Sequence, residues 1–409
     1  MLKPHLVSFR FLSAIASIPL LLSLGGGCGD DESSAGGGGG TGGTGTGGDG
    51  DGGGGGQAGT CSLDAELGEA LDLPKDTWTW VDFPDSLCMN NTPTGIAVNP
   101  SSTSNKVVIF LMGGNACFNL ASCAITANTN GYASDKWNAD ADGIRTSQAF
   151  DRSDPDNPLK DYSYVFVPYC TGDVHAGDRS DVTVANKTYQ FHGRKNLIAY
   201  LKRLVPTFRD ADQVVLAGVS AGGFGAALSY DLVASAFCET EDVVLIDDSG
   251  PPMGDEFLAP CLQKHMSDTW GLASTLPADC PDCNQTSGAF AEPYVKYLLG
   301  KYPDRTLGVI SSEQDGTIRN FWGYGESNCS ELGGLPPPYD GAKYTAGLED
   351  LRDRIVGDAG RFGLFMVPGD EHVFLDNDPT SVNVNGVSLK DWLLQALNND
   401  PAFGNVSEP

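Results

Sequence analysis

Gly218-Val219-Ser220-Ala221-Gly222 fits the pattern G-x-S-x-G. An apolar run, residues 213–219 (QVVLAGV), precedes it, and a helical stretch to about residue 237 follows. A strand that turns sharply into a helix at a serine lifts the hydroxyl above a sheet, where it can attack an ester carbonyl. Glycines flank such a serine because a Cβ would clash in the turn. The helix start adds free N–H groups and the positive end of a dipole. A plain serine N-cap after a glycine turn is the competing reading. The strand and helix on either side favour a nucleophile.

A serine nucleophile requires a base and a group that orients the base. In this strand–turn–helix setting the chain order is serine, acid, histidine. Only His265 and His372 follow Ser220. His372 comes directly after an apolar run at 362–367, at the sheet edge where sites form in open α/β folds. His265 lies in a Pro-, Cys- and Gly-rich stretch, 251–288, and reads as a surface or lid residue. Asp315 follows the run at 306–311 and is the favoured acid. Glu313 is its near competitor and Asp248 the second, and an acid at a strand end is also a common helix cap. The N–H of Ala221 should face the oxyanion, joined by the loop Gly114, Asn115 and Ala116 after the run at 106–112. Asp173 and His175 border this region and are candidate substrate-binding residues, with a structural role as the alternative. Cys280 and Cys283 form one CxxC pair without a second, so a disulfide or turn is expected there. No phosphate loop G-x-x-x-x-G-K-[ST] occurs. Neither metal nor cofactor is expected.

These residues need strands to hold them. Residues 106–112 (KVVIFLM), 162–168 (YSYVFVP) and 213–219 are continuous apolar runs, which suit strands buried on both faces. Further strands are expected at 78–82, 95–99, 243–246, 306–311 and 362–367. Helical spacing recurs at 193–206, 289–299, 346–356 and 388–398. Strand alternating with helix predicts an α/β fold: a mostly parallel sheet with helices on both faces, α/β-hydrolase-like, with a disulfide-rich insertion. The stretch 251–288 is expected to cover part of the site.

The beginning of the chain reads differently. Lys3 and Arg10 flank a start that runs into about 14 apolar residues at 11–24, shorter than the roughly 20 that span a bilayer. Gly25-Gly26-Gly27-Cys28 follows, and the whole resembles a bacterial lipoprotein signal in which Cys28 would be lipidated, with plain secretion as the alternative. Leu24 stands four positions before Cys28, where the usual pattern has its apolar residue three before. Residues 36–59 hold 17 Gly in 24 positions, the composition of a flexible tether. The expected organisation is a signal with lipoprotein cysteine at 1–28, a linker at 29–60 and one catalytic domain at 61–409. Ten cysteines lie from Cys61 onward, an even number consistent with five disulfides in an exported chain. Cys117 and Cys123 are close enough to bridge locally.

The chain has 409 residues and a net charge of −28. Residues 61–409 alone carry 48 acidic against 23 basic side chains, a net of −25. Phosphate binding needs clustered Lys and Arg, so a nucleic-acid partner is excluded. Anionic lipid headgroups are excluded on the same ground, and membrane contact is expected only through a lipid anchor.

Several short blocks together resemble the pectin acetylesterase/Notum family of secreted α/β-hydrolases. They are residues 111–118 (LMGGNACF), 168–178 (PYCTGDVHAGD), Phe191-His192-Gly193, 218–223 and Asp248-Ser249-Gly250. The resemblance spans roughly residues 75–400. It implies carboxylic-ester hydrolysis through Ser220, Asp315 and His372 on an acylated polysaccharide or small ester outside the cytoplasm. Asn115-Ala116 stands where the family usually has Trp, and Pro251-Pro252 where an aromatic is common, so the substrate pocket should differ. Rival readings are another serine hydrolase (a polyester depolymerase, lipase or peptidase) and a non-catalytic surface-binding lipoprotein.

Overall fold

The continuous apolar runs lie within the central sheet. The computed structural model describes residues 63, 66–126, 130–145 and 147–409. Cys28, the Gly-rich stretch and Cys61 lie outside them. The described residues belong to one compact unit. Its strands are β1 (Thr79–Leu87), β2 (Pro93–Asn99), β3 (Val107–Leu111), β4 (Ser163–Val167), β5 (Arg179–Val184), β6 (Lys187–Phe191), β7 (Gln213–Val219), β8 (Asp242–Asp248), β9 (Thr306–Ser312) and β10 (Arg361–Val367), with a short pair β11 (Asn383–Val384) and β12 (Val387–Ser388). Eight strands form one sheet in the order β1-β2-β4-β3-β7-β8-β9-β10. The first two pairings are antiparallel and the remaining five parallel.

Strand periodicity divides the core into two layers. On β7, Val214 and Leu216 enter one cluster, while Val215, Ala217 and Val219 enter the other. The first layer is covered by α3 (Gly193–Thr207), α4 (Ala221–Ala236), α5 (Pro260–Trp270) and α6 (Ala291–Lys301). The second is covered by α2 (Ser134–Arg145) and α9 (Leu389–Leu397) through Trp137, Ala141, Trp392 and Leu393. Helices on both faces of a mostly parallel sheet are the expected architecture. The remaining helices α1 (Leu120–Ile125), α7 (Gly316–Trp322) and α8 (Gly341–Asp350) border the loops that matter below.

Three features depart from the sequence expectation. β1 runs on to Leu87 through Pro84, which an outermost strand tolerates because its missing N–H costs no ladder bond. β5 and β6 form a separate hairpin around Ala185-Asn186, both left-handed at φ 49° and 64°. The insertion at 251–288, for which no helix is expected from its Pro-, Cys- and Gly-rich sequence, contains α5, which starts at Pro260 and stops at left-handed Gly271.

Disulfides join Cys88 to Cys170, Cys117 to Cys123, Cys261 to Cys329 and Cys280 to Cys283. Cys238 is disulfide-bonded as well. The CxxC pair is therefore a bridge, as expected. No group of three or more His, Cys, Asp or Glu among the described residues is arranged to hold a metal ion. No helix among them is long and apolar enough to cross a membrane.

Candidate active site

β7 ends at Val219 and α4 begins at Ala221, so a single residue makes the turn. That residue, Ser220, sits at φ 57° and ψ −120°, a conformation disfavoured for any side chain with a Cβ. Its hydroxyl makes no capping bond to the helix. The N-cap reading therefore does not describe it, and its Oγ remains free for other chemistry. Its N–H donates to the Asp248 carbonyl at 2.7 Å, which ties the turn to the end of β8.

The turn closes only around glycine. A Cβ at Gly222 would lie 2.0 Å from the Leu111 carbonyl oxygen, and one at Gly218 would lie 2.2 Å from the Gly222 carbonyl oxygen. Both obstacles are backbone and cannot rotate away. Gly222→Ala is expected to lose about 3 kcal/mol or more of stability, or to prevent folding. Gly300→Ala, in α6 with nothing within 4 Å of its Cβ, should stabilise by up to about 1 kcal/mol. Urea unfolding of both variants checks the pair.

Asp315 and His372 arrive from β9 and β10, the next strands along the sheet. Asp315 is fully buried. One carboxylate oxygen accepts from the N–H groups of Thr317 and Ile318, both at 2.9 Å, and caps α7. The other lies 2.7 Å from His372 Nδ1. The cap and the histidine partner are thus one side chain, and the two readings of Asp315 coexist. Of the competing acids, Glu313 bonds among the described residues only through its backbone, to Val367 and Thr345. Asp248 supports the histidine loop instead. Its carboxylate accepts from Phe374 N at 2.6 Å and Leu375 N at 2.7 Å, and Val373 N donates to the Ser249 hydroxyl. Burial pushes the Asp248 carboxyl up to about 6, opposed by these bonds. Asp248 and Ser249 therefore fix the His372 loop and, through the Asp248 carbonyl, the Ser220 turn.

The loop after β3 faces the same turn. Gly113 packs so closely that a Cβ there would meet the Val219 carbonyl at 2.7 Å, and one at Gly114 would meet the Tyr169 ring at 2.4 Å. Cys117 N donates to Gly172 O, and Trp270 Nε1 to Cys117 O. His265, on α5, reaches Phe118 O at 2.8 Å, which fits the lid position expected of it. Among the described residues, the N–H groups of Asn115, Ala116 and Ala221 donate to no other group. The Asn115 side chain turns away to Ile125 O.

Asp173 and His175 are both buried. Asp173 accepts from the Thr171 hydroxyl and Gly193 N, and burial raises its carboxyl to about 6. His175 Nε2 lies 2.9 Å from Met112 O, its ring packs on Tyr169 at 4.7 Å, and burial lowers its pKa to about 4. Asp173 thus holds the start of α3, and His175 the loop after β3. Neither lines the cavity at the site, which their neighbour Val174 does. The contacts match the structural alternative raised for this pair.

That cavity opens beside Ser220 and has a volume of about 100 Å³. Gly114, Ala116 and Ala221 stand at the serine end, and Met266, Trp270 and Phe321 form part of an apolar wall. Met266 and Trp270 belong to the 251–288 insertion, which contributes part of the cavity lining. Pro252 joins the lining, and most of the wall is built from apolar side chains on α4, α5, α6 and α7. Asp247 also lines it, and sequence alone did not single it out.

Residues 79–298 match the model of the family described as Pectinacetylesterase. The palmitoleoyl-protein carboxylesterase NOTUM of Schmidtea mediterranea is 32% identical over 160 residues, covering 36% of this chain and 29% of that protein. Pectin acetylesterase 11 of Arabidopsis thaliana is 24% identical over 223 residues, covering 52% of this chain and 56% of that protein. The alignments with NOTUM proteins span about a third of those relatives' length. The crystal structure of the Wnt deacylase Notum from Drosophila superposes with a TM-score of 0.58 at 17% identity, over 82% of this chain and 96% of that one. This likeness establishes the α/β fold.

Proposed function

Since this chain belongs to the pectinacetylesterase family, we propose that it is a serine carboxylic-ester hydrolase acting through Ser220, His372 and Asp315. The observation that carries the proposal is Ser220: a strained turn residue whose hydroxyl caps nothing and lines an apolar cavity. His372 accepts the Ser220 proton at Nε2 as Oγ bonds to the ester carbonyl carbon. Asp315 holds Nδ1–H and stabilises the imidazolium. The carbonyl oxygen, now anionic, faces the N–H groups of Ala221 and of the Gly114–Ala116 loop. The tetrahedral species expels the alcohol, which takes the proton from His372, and leaves an acyl group on Ser220. A water molecule then gives its proton to His372 and cleaves the acyl bond, releasing the acid and restoring the serine.

Removal of acetyl or short acyl groups from a polysaccharide or similar extracellular ester is the substrate reading. Pectin acetylesterase 11 carries that chemistry in its name. The apolar wall of the cavity favours, as a second reading, acyl chains longer than acetyl. A net of −25 over residues 61–409 opposes unmodified polyanionic polymers and favours neutral or heavily esterified ones. Export with a lipid on Cys28, and residues 29–60 as tether, complete the proposal.

A fluorophosphonate probe and a panel of aryl esters from acetate to octanoate, acetylated polysaccharides and peptides test it. The expected result is covalent labelling and hydrolysis of the short and medium aryl esters. Absence of labelling, or faster turnover of peptides than of any ester, overturns it.

A further inference from the structure

The cavity beside Ser220 contains a carboxyl that nothing satisfies. Asp247, on β8, is fully buried and lines the cavity, and neither of its oxygens has a hydrogen-bond partner among the described residues. The Gly250 N–H is near but outside hydrogen-bond geometry. Three other polar side chains on the wall, Gln263, Trp270 and Tyr294, are occupied. Gln263 donates to Asp255 and Leu258 O and accepts from Phe290 N and Ala291 N. Trp270 donates to Cys117 O, and the Tyr294 hydroxyl to Leu228 O. Buried polar groups in folded proteins are overwhelmingly paired, so a carboxyl left open in a cavity points to a partner that arrives with a ligand.

The position of Asp247 restricts that partner. A Cβ on Gly223 or Gly250 would come within 2.3 or 2.5 Å of its Oδ1, so two glycines keep a niche around this oxygen. Gly223 is three residues beyond Ser220 on α4, about 4.5 Å of helix rise. An acyl chain attached at Ser220 reaches this depth within a few carbons. Burial, reinforced by the Asp248 carboxyl beside it, holds Asp247 well above the usual carboxylate range. A neutral carboxyl both donates and accepts, which matches a hydroxyl better than a cation.

We propose that Asp247 is a specificity-determining residue that hydrogen-bonds a hydroxyl carried on the acyl chain near the ester carbonyl, so that hydroxyacyl esters are the preferred substrates. This deepens the esterase reading and rests on it. Sites that hydrogen-bond a substrate hydroxyl discriminate strongly against analogues lacking it, whereas purely apolar pockets do not.

The test compares 4-nitrophenyl butanoate with 4-nitrophenyl 3-hydroxybutanoate, and the two corresponding hexanoates, in wild type, Asp247→Asn and Asp247→Ala. The reading is the ratio of kcat/KM within each pair. Wild type should favour the hydroxylated ester by at least about tenfold. Asp247→Asn, which keeps a donor and an acceptor, should retain most of the ratio. In Asp247→Ala it should fall toward one. Turnover without a hydroxyl preference in wild type, or a preference that survives in Asp247→Ala, overturns the proposal and leaves the esterase reading standing. If Asp247→Ala does not fold, the wild-type ratio still decides. Calorimetry of methyl 3-hydroxybutanoate and methyl butanoate with Ser220→Ala separates the two readings. Hydroxyl-dependent binding without wild-type turnover keeps the Asp247 role and sinks the esterase, and neither turnover nor binding sinks both.

Discussion

Ser220→Ala is expected to lower kcat for ester hydrolysis by about 10⁴-fold or more and to abolish fluorophosphonate labelling. The magnitude follows from losing the covalent path, because residual catalysis then depends on the oxyanion donors and binding alone. Stability should change little. The Ser220 side chain caps no helix, and its backbone bond to Asp248 O is independent of residue type. Alanine carries the same Cβ, so it bears the same strain at φ 57°. A thermal melt within a few degrees of wild type, together with lost labelling, is the expected pair of results. Labelling equal to that of wild type would place the nucleophile elsewhere and end the assignment.

The second large effect is expected at Asp315. Asp315→Asn should cost about 10⁴-fold in kcat with little loss of stability. The reason lies in its two sets of bonds. An asparagine can keep its oxygen on the N–H groups of Thr317 and Ile318 and so preserve the cap of α7. Its NH₂ group then points at His372 Nδ1 and forces that nitrogen to accept. The proton moves to Nε2, which can no longer take one from Ser220. Asp315→Ala removes the cap as well and should add about 1 kcal/mol of destabilisation. Comparing kcat and the unfolding midpoint for both variants separates the two duties. Equal activity in wild type and Asp315→Asn would move the acid role to another residue, Asp248 first.

The central strands and the order of the site residues could be read before any coordinates because burial on both faces leaves long apolar runs. Residues 107–111 and 213–219 are of this kind. The placing of Asp315 and His372 was legible for a related reason: each follows such a run, and parallel strands put their ends on one edge. α5 was missed although Pro260 and Gly271 marked both its ends, since the prolines and cysteines around it masked the helical spacing. The hairpin β5–β6 was missed because Ala185-Asn186 turns without glycine. Asp247 was hidden for a different reason. It stands beside Asp248, and only the register of β8 decides that one faces the cavity while the other holds the histidine loop. Paired acids at a strand end look alike in sequence and part company only through the alternation of side chains across a sheet.

The order of the parallel strands also has a consequence in time. β7, β8, β9 and β10 lie side by side in the order of their synthesis, and β10 pairs with β9 at the far end of the sheet. A growing chain would therefore display Ser220 in its turn long before residue 372 leaves the ribosome. The proposed nucleophile would wait without its proposed base through more than 150 residues of translation. Contacts so distant along the chain also close slowly, because loop entropy opposes them until the last strand docks. The proposed chemistry would thus switch on only when the whole sheet is complete, and partly made or truncated chains are expected to be inert toward esters.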